Sequence, residues 1–88
     1  MADQVQRNLS GKTAIITGSA RGIGAGIAKG LAQRGANVVV NYTSARGEVA
    51  AAVLARDIEA MGRKVAVVQA NVAIFADVNK IINSALAV

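Results

Sequence analysis

The sequence predicts an α/β fold built on a parallel sheet, and three observations carry that prediction. Short apolar runs rich in β-branched residues alternate with longer segments whose apolar residues recur every three or four positions. Val38, Val39 and Val40 stand together with no polar alternation, the pattern of a strand covered on both faces. Gly18, Gly35 and Gly62 fall where one kind of segment gives way to the other.

Taken in order, Thr13 to Thr17 is a short strand that stops at Gly18. Gly22 to Arg34 carries Ile23, Ile27 and Leu31 at a spacing of four, with Ala28 and Ala32 beside them, which predicts one helical stripe closed by Gly35 as its C′ residue. Ala36 to Asn41 is the second strand, and Tyr42 to Arg46 a polar turn in which Ser44 is a plausible N-cap. Glu48 to Met61 is the second helix, with Val49, Val53, Leu54, Ile58 and Met61 on its apolar side and Gly62 at its end. Val65 to Val68 is a third buried strand that runs out through Gln69 and Ala70 to Asn71 and Val72. Asp77 to Leu86 places Val78, Ile81, Ile82, Ala85 and Leu86 on one side of a third, amphipathic helix. The order is β-α-β-α-β-α. Right-handed crossovers make the strands parallel neighbours in the order 3-2-1, the N-terminal half of a Rossmann-type doubly wound sheet. The final helix is expected on the face opposite the first two.

Composition narrows the chemistry. The chain has 88 residues, one small domain at most. With no Cys it has no thiolate nucleophile, disulfide or Cys-ligated metal, and with no His it lacks the commonest general base and metal ligand. Ten basic residues against five acidic ones give a net charge of +5, but they are scattered, and the only aromatics are Tyr42 and Phe75. A nucleic-acid surface, which needs a basic patch or stacking platforms, is therefore disfavoured. The N-terminal segment has no apolar core of a secretory signal, and the longest uncharged stretch, Val65 to Ala76, is too short to cross a bilayer. A cytoplasmic protein with no membrane partner is the expectation.

The most informative segment is Thr17-Gly18-Ser19-Ala20-Arg21-Gly22-Ile23-Gly24, a glycine loop between the first strand and the first helix. A pyrophosphate must approach the free N–H groups at a helix start, and a Cβ there would obstruct it. Gly18 suits the tight turn, while Gly22 and Gly24 admit the phosphates and let the helix sit close to the strand. A glycine-rich turn serving packing alone is the competing reading. Gly26 and Gly30 form a second pair; Lys29 and Arg34 exclude a membrane dimer motif, leaving close packing on the sheet as its explanation.

These residues resemble the short-chain dehydrogenase/reductase family, whose T-G-x-x-x-G-x-G signature stands here as Thr17 to Gly24. The lead-in Leu9-Ser10-Gly11-Lys12-Thr13-Ala14 and the run Arg34-Gly35-Ala36-Asn37-Val38-Val39-Val40 are similar to the same family. The resemblance implies a partial dinucleotide-binding domain over residues 1–88. Family members are longer, and their N-N-A-G motif, catalytic Ser and Y-x-x-x-K lie further along. No catalytic residue is assigned within this chain: the sole tyrosine, Tyr42, is followed four positions later by Arg46 rather than Lys. In a complete member a Tyr acts as general acid/base beside a Lys while a Ser polarises the carbonyl.

The resemblance also implies a nicotinamide cofactor, and the second strand's end bears on which one. An acid about 20 residues past the glycine loop usually holds a free ribose 2′-OH. Asn41-Tyr42-Thr43-Ser44-Ala45-Arg46 contains none, which removes a repulsion against a 2′-phosphate and favours NADP(H). The Thr43 and Ser44 hydroxyls, the Asn41 amide and the Arg21 guanidinium are candidates to bind that phosphate, with Arg46 a second cation. Asn71 and Val72, after the third strand, stand where many members carry Asp-Val against the adenine, although a strand-ending turn explains Asn71 equally. The cofactor-binding set is thus Gly18, Ser19, Arg21, Gly22, Ile23, Gly24, Asn41, Tyr42, Thr43, Ser44, Asn71 and Val72. The Ala-Asn-Val and Val-Asn-Tyr segments look like those of fungal reductases of the hydroxynaphthalene and versicolorin kind, with bacterial acyl-carrier-protein reductases close behind.

Two functions follow as expectations. One is the NADP(H)-binding part of an oxidoreductase acting on a carbonyl or alcohol. The other is a non-catalytic module that self-associates through an open sheet edge at Ala14-Ile15-Ile16.

Overall fold

The structure is a computed structural model that describes residues 9–19 and 22–88. Strand β1 (Thr13–Ile16) leads through the glycine loop to helix α1 (Gly22–Gln33). Strand β2 (Asn37–Tyr42), a short 3-10 turn (Ala45–Gly47) and helix α2 (Glu48–Ala60) follow, then β3 (Val65–Gln69) and α3 (Phe75–Ala87). Among the described residues the strands form one parallel sheet with β2 in the middle. Thr13 to Ile16 pair with Asn37 to Val40, and Val38 to Tyr42 with Val65 to Gln69. The order 3-2-1 expected from the crossovers is this arrangement read from the β3 edge.

The valine run behaves as its composition requires: Val38, Val39 and Val40 are all fully buried. Their side chains alternate between faces. Val38 and Val40 join Ala28, Ala32, Ala51, Leu54 and Ile58 beneath α1 and α2. Val39 joins Val68, Ala70 and Ile81 beneath α3, on the opposite face as expected.

The helices correct the predicted stripes. In α1 the residues against the sheet are Ala28 and Ala32, whereas Ile23 is 84% and Ile27 50% exposed. The α1 side chains in the cluster beneath the helix are thus all methyl groups, and the isoleucines lie outside it. In α2, Ala51, Leu54, Ala55 and Ile58 are buried while Val49 and Val53 are exposed. In α3 only Ile81 is buried, and Ile82 and Leu86 face outward. Gly26 is likewise not a packing glycine: its α-carbon faces open space, and Gly30 meets only the Arg34 side chain.

The ends differ modestly from the sequence reading. β2 continues through Tyr42 because that residue still pairs with Gln69. α3 starts at Phe75 rather than Asp77, after Ile74 in an extended conformation. Gly35 and Gly62 close α1 and α2 with positive φ, as predicted. At the sheet's opposite end, the Arg63 Nε donates to the Ala32 carbonyl at 2.8 Å, closing the α1 C-terminus. Among the described residues no helix is long and apolar enough to cross a membrane, and no cluster of His, Cys, Asp and Glu could hold a metal.

Candidate functional site

The C-terminal ends of the three strands bring together most of the predicted site residues. That is where open α/β sheets place ligands, because the loops to the crossover helices splay there. Gly18 has φ +63° and Gly22 has φ +63°, a left-handed backbone that disfavours any side chain. Space over both α-carbons is open. Gly24 is different: a Cβ there would lie 2.8 Å from the Gly18 carbonyl oxygen and 3.0 Å from the Ser19 α-carbon. The first turn of α1 therefore sits directly against the loop. That turn carries no acidic residue, so the positive end of the helix dipole is uncompensated by its own side chains. Among the described residues these features make an uncovered backbone cradle suited to an anion.

Among the described residues, Ser19 and Asn41 are the two buried polar ones, 0% and 1% exposed. The Ser19 N–H donates to the Asn41 carbonyl at 3.1 Å, and the Asn41 N–H to the Ser19 Oγ at 3.0 Å. The Asn41 Oδ1 accepts from the Gly18 N–H at 3.0 Å. Its Nδ2 donates to the carbonyls of Val68 at 3.3 Å and Ala70 at 3.1 Å, with a longer contact to the Tyr42 carbonyl. The Asn41 amide, expected to bind a phosphate, is thus engaged wholly within the protein. Its partners Gly18, Val68 and Ala70 lie 23 to 29 residues away in sequence, so no local pattern could have announced this.

The turn after β2 remains open. Thr43 and Ser44 are exposed. Ser44 occupies the N-cap of the 3-10 turn, but its side chain makes no capping bond. Gln69 contacts the Thr43 carbonyl at 3.5 Å, a weak link from β3 to this turn. Tyr42 is half-buried, and a Cβ at Gly47 would come within 3.0 Å of its own Cβ. Its hydroxyl lies 3.4 Å from the Glu48 carboxylate. Desolvation, and then that carboxylate, hold the phenol above its ordinary value of 10.0. Glu48 falls two residues beyond the acid-free window and was missed by sequence reasoning. Its position at the start of α2 is the signal that could have found it, because acids favour that turn.

At the end of β3, Asn71 and Val72 are exposed. The Asn71 N–H donates to Asp77 at 2.8 Å, and its Oδ1 accepts from the Ala73 N–H at 2.9 Å. Asn71 is therefore a turn former, and its Oδ1 is engaged. Ile23 projects its side chain into solvent beside the loop. Arg21 lies outside the described residues. A cleft of about 270 Å³ between α1 and α2 is a separate feature. It is lined by Ala25, Lys29, Ala50, Val53, Leu54 and Asp57, with Lys29 and Asp57 paired at 3.3 Å. No residue of the predicted site takes part in it.

Comparison with known proteins agrees with this architecture. The family model described as short chain dehydrogenase matches residues 12–87. A hydroxynaphthalene reductase-like protein of Metarhizium guizhouense is 40% identical over 85 residues, 97% of this chain and 31% of that relative. A short-chain dehydrogenase/reductase of a Cladobotryum species is 43% identical over 79 residues, 90% of this chain and 30% of the relative. Among solved structures, a metagenomic blue fluorescent protein in complex with NADPH is similar with a TM-score of 0.85 and 40% identity. That match covers 91% of this chain and 32% of the other. The landomycin C-6 ketoreductase LanV, with bound NADP and rabelomycin, is similar with a TM-score of 0.76 and 42% identity, over 88% of this chain and 31% of that one. The chain thus spans about a third of the length of the relatives it matches. With its glycine loop, its parallel sheet and a family match over nearly all its residues, the chain belongs to the short-chain dehydrogenase family.

Proposed function

We propose that these residues are the NADP(H)-binding part of an oxidoreductase that transfers hydride between nicotinamide and a carbonyl or alcohol carbon, the groups acting on substrate lying outside these 88 residues. The observation that carries this reading is the loop from Gly18 to Gly24. Its two left-handed glycines leave open space above an α1 start free of acidic side chains. The loop fits a pyrophosphate, and the NADP(H) in the related structures supports the choice of dinucleotide. When bound, the dinucleotide supplies the hydride; the protein's part here is to hold and orient it.

In this reading Gly18, Gly22, Ile23 and Gly24 line the pyrophosphate with Ser19 buried behind them as support, Asn71 and Val72 flank the adenine, and Tyr42 bounds the ribose. Thr43, Ser44 and Arg21 receive the 2′-phosphate. Ser44 is exposed and its hydroxyl makes no capping bond. Asn41 belongs to the site as support. Calorimetric titration of the intact protein tests the reading: NADPH should bind about tenfold or more tightly than NADH, the worth of one charge-assisted hydrogen bond. Tighter NADH binding would remove the NADP assignment, and binding of neither would remove the cofactor reading.

The β1 edge supports a second reading for the 88 residues made alone. β1 pairs only with β2 among the described residues, and Ile15 is 42% exposed. Such an edge invites pairing with a second copy. Sedimentation velocity should find dimers or larger species, and a sharp monomer with cooperative melting would overturn self-association.

A further inference from the structure

Asn41 opens the acid-free window after the glycine loop, the stretch in which a dinucleotide fold commonly places an acid on the ribose. Here the residue faces inward. We propose that Asn41 is a positioning residue: without touching the cofactor, it locks the Gly18–Ser19 turn to the C-terminal ends of β2 and β3, and so sets the loop's grip on the dinucleotide. The proposal rests on the cofactor reading above.

The chemistry of the side chain is specific. An amide presents one oxygen that accepts and one nitrogen with two protons to give. The oxygen takes the Gly18 N–H, and the two protons face the Val68 and Ala70 carbonyls. The main chain of Asn41 completes a reciprocal pair with Ser19. Both the Gly18 and the Ser19 N–H groups therefore end on this one residue. An aspartate would set a carboxylate oxygen against two carbonyl oxygens with no proton between them. An alanine would leave the part-buried Gly18 N–H and the Val68 and Ala70 carbonyls, whose bonds are buried, without this partner, a costly state.

The position of the turn matters beyond itself. The α1 start is packed so closely on the Gly18 carbonyl that Gly24 has no room for a methyl group. A turn released from Asn41 therefore also loses its fixed seat on the helix end that faces the phosphates. Gly18 has no side chain with which to anchor the turn by packing.

Two measurements on the intact protein test the proposal. In the absence of cofactor, Asn41→Ala and Asn41→Asp should speed hydrogen exchange at the Gly18 amide by about tenfold or more relative to the Val39 and Val40 amides. The same variants should raise the dissociation constant and the Michaelis constant for NADPH by about tenfold, with the Michaelis constant for the carbonyl substrate unchanged. Ser19→Ala removes a single bond and should shift both readouts less, in the same direction, which keeps the test open if Asn41→Ala does not fold. Gly18 exchange that follows the core amides in every folded variant overturns the lock. Unaltered NADPH affinity in a variant whose Gly18 amide is freed overturns the positioning role alone. An unsubstituted protein that binds no NADPH overturns the cofactor reading instead.

Discussion

Val40 and Asn41 are neighbours on β2, both are buried, and they are held by opposite means. Val40 belongs to the apolar cluster beneath α1 and α2, where contact is non-directional and shape decides. Asn41 belongs to a polar knot at the strand ends, where each bond needs a donor, an acceptor and an alignment. The cluster sets how stable the domain is; the knot sets where the glycine loop lies. A change of size should damage the first, and a change of chemistry the second.

The largest effect expected from that contrast is on stability. Ile58 is fully buried at the centre of the α2 interface, and Ile58→Ala should cost about 2–5 kcal/mol in equilibrium urea unfolding. In conditions where the variant is folded, its NADPH affinity should be unchanged; a parallel loss of affinity would break the separation between cluster and knot. Gly24→Ala should do the reverse. Its methyl group would meet the Gly18 carbonyl at 2.8 Å, and an overpacked contact of this kind should weaken NADPH binding about tenfold in calorimetry, with less effect on melting. Ser44→Asp changes neither region's packing. It should move preference from NADPH towards NADH by about tenfold, through repulsion of the 2′-phosphate, as competitive titration would report.

The smallest effect lies at the rim. The Tyr42 phenol is held above 10.0, so the folded state favours its neutral form. That contribution to stability is present below pH 10.0 and is lost as pH rises through the folded value. With one Tyr and no Trp in the chain, phenolate absorbance reads this group alone. Its midpoint should exceed 10.0, and Glu48→Gln should lower it only partway, because desolvation is the larger cause. A full return to 10.0 would reverse the ranking of the two causes.

The layout was legible in the sequence where a single residue type dictates a single environment. Three unbroken valines needed cover on both faces, and the glycine loop needed a strand before it and a helix after. Legibility failed where a partner lay far along the chain or where packing between elements decided the outcome. Ile23 and Ile27 looked like the buried side of α1, but the residues turned to the sheet are Ala28 and Ala32. Asn41 looked like a ligand for phosphate because Val68 and Ala70, which claim its amide, are remote in sequence. Asn71 was legible as a strand-ending turn former, and the bonds to Ala73 and Asp77 show that turn.

The central place of β2 also bears on the order in which the chain folds. Its two pairings begin at Thr13↔Asn37 and Val38↔Val65, closures of 24 and 27 residues. The entropy of closing them differs by only about 0.1 kcal/mol, too little to choose between routes. Side chains must break the tie. The β2–β3 pairing has five partners against four for β1–β2, and the helix between β2 and β3 contributes Leu54 and Ile58, whereas α1 offers only alanines to the core. The β2–α2–β3 unit should therefore form first, with β1 and its glycine loop docking late. Kinetically, Leu54→Ala should slow folding, while Ala28→Gly should mainly hasten unfolding.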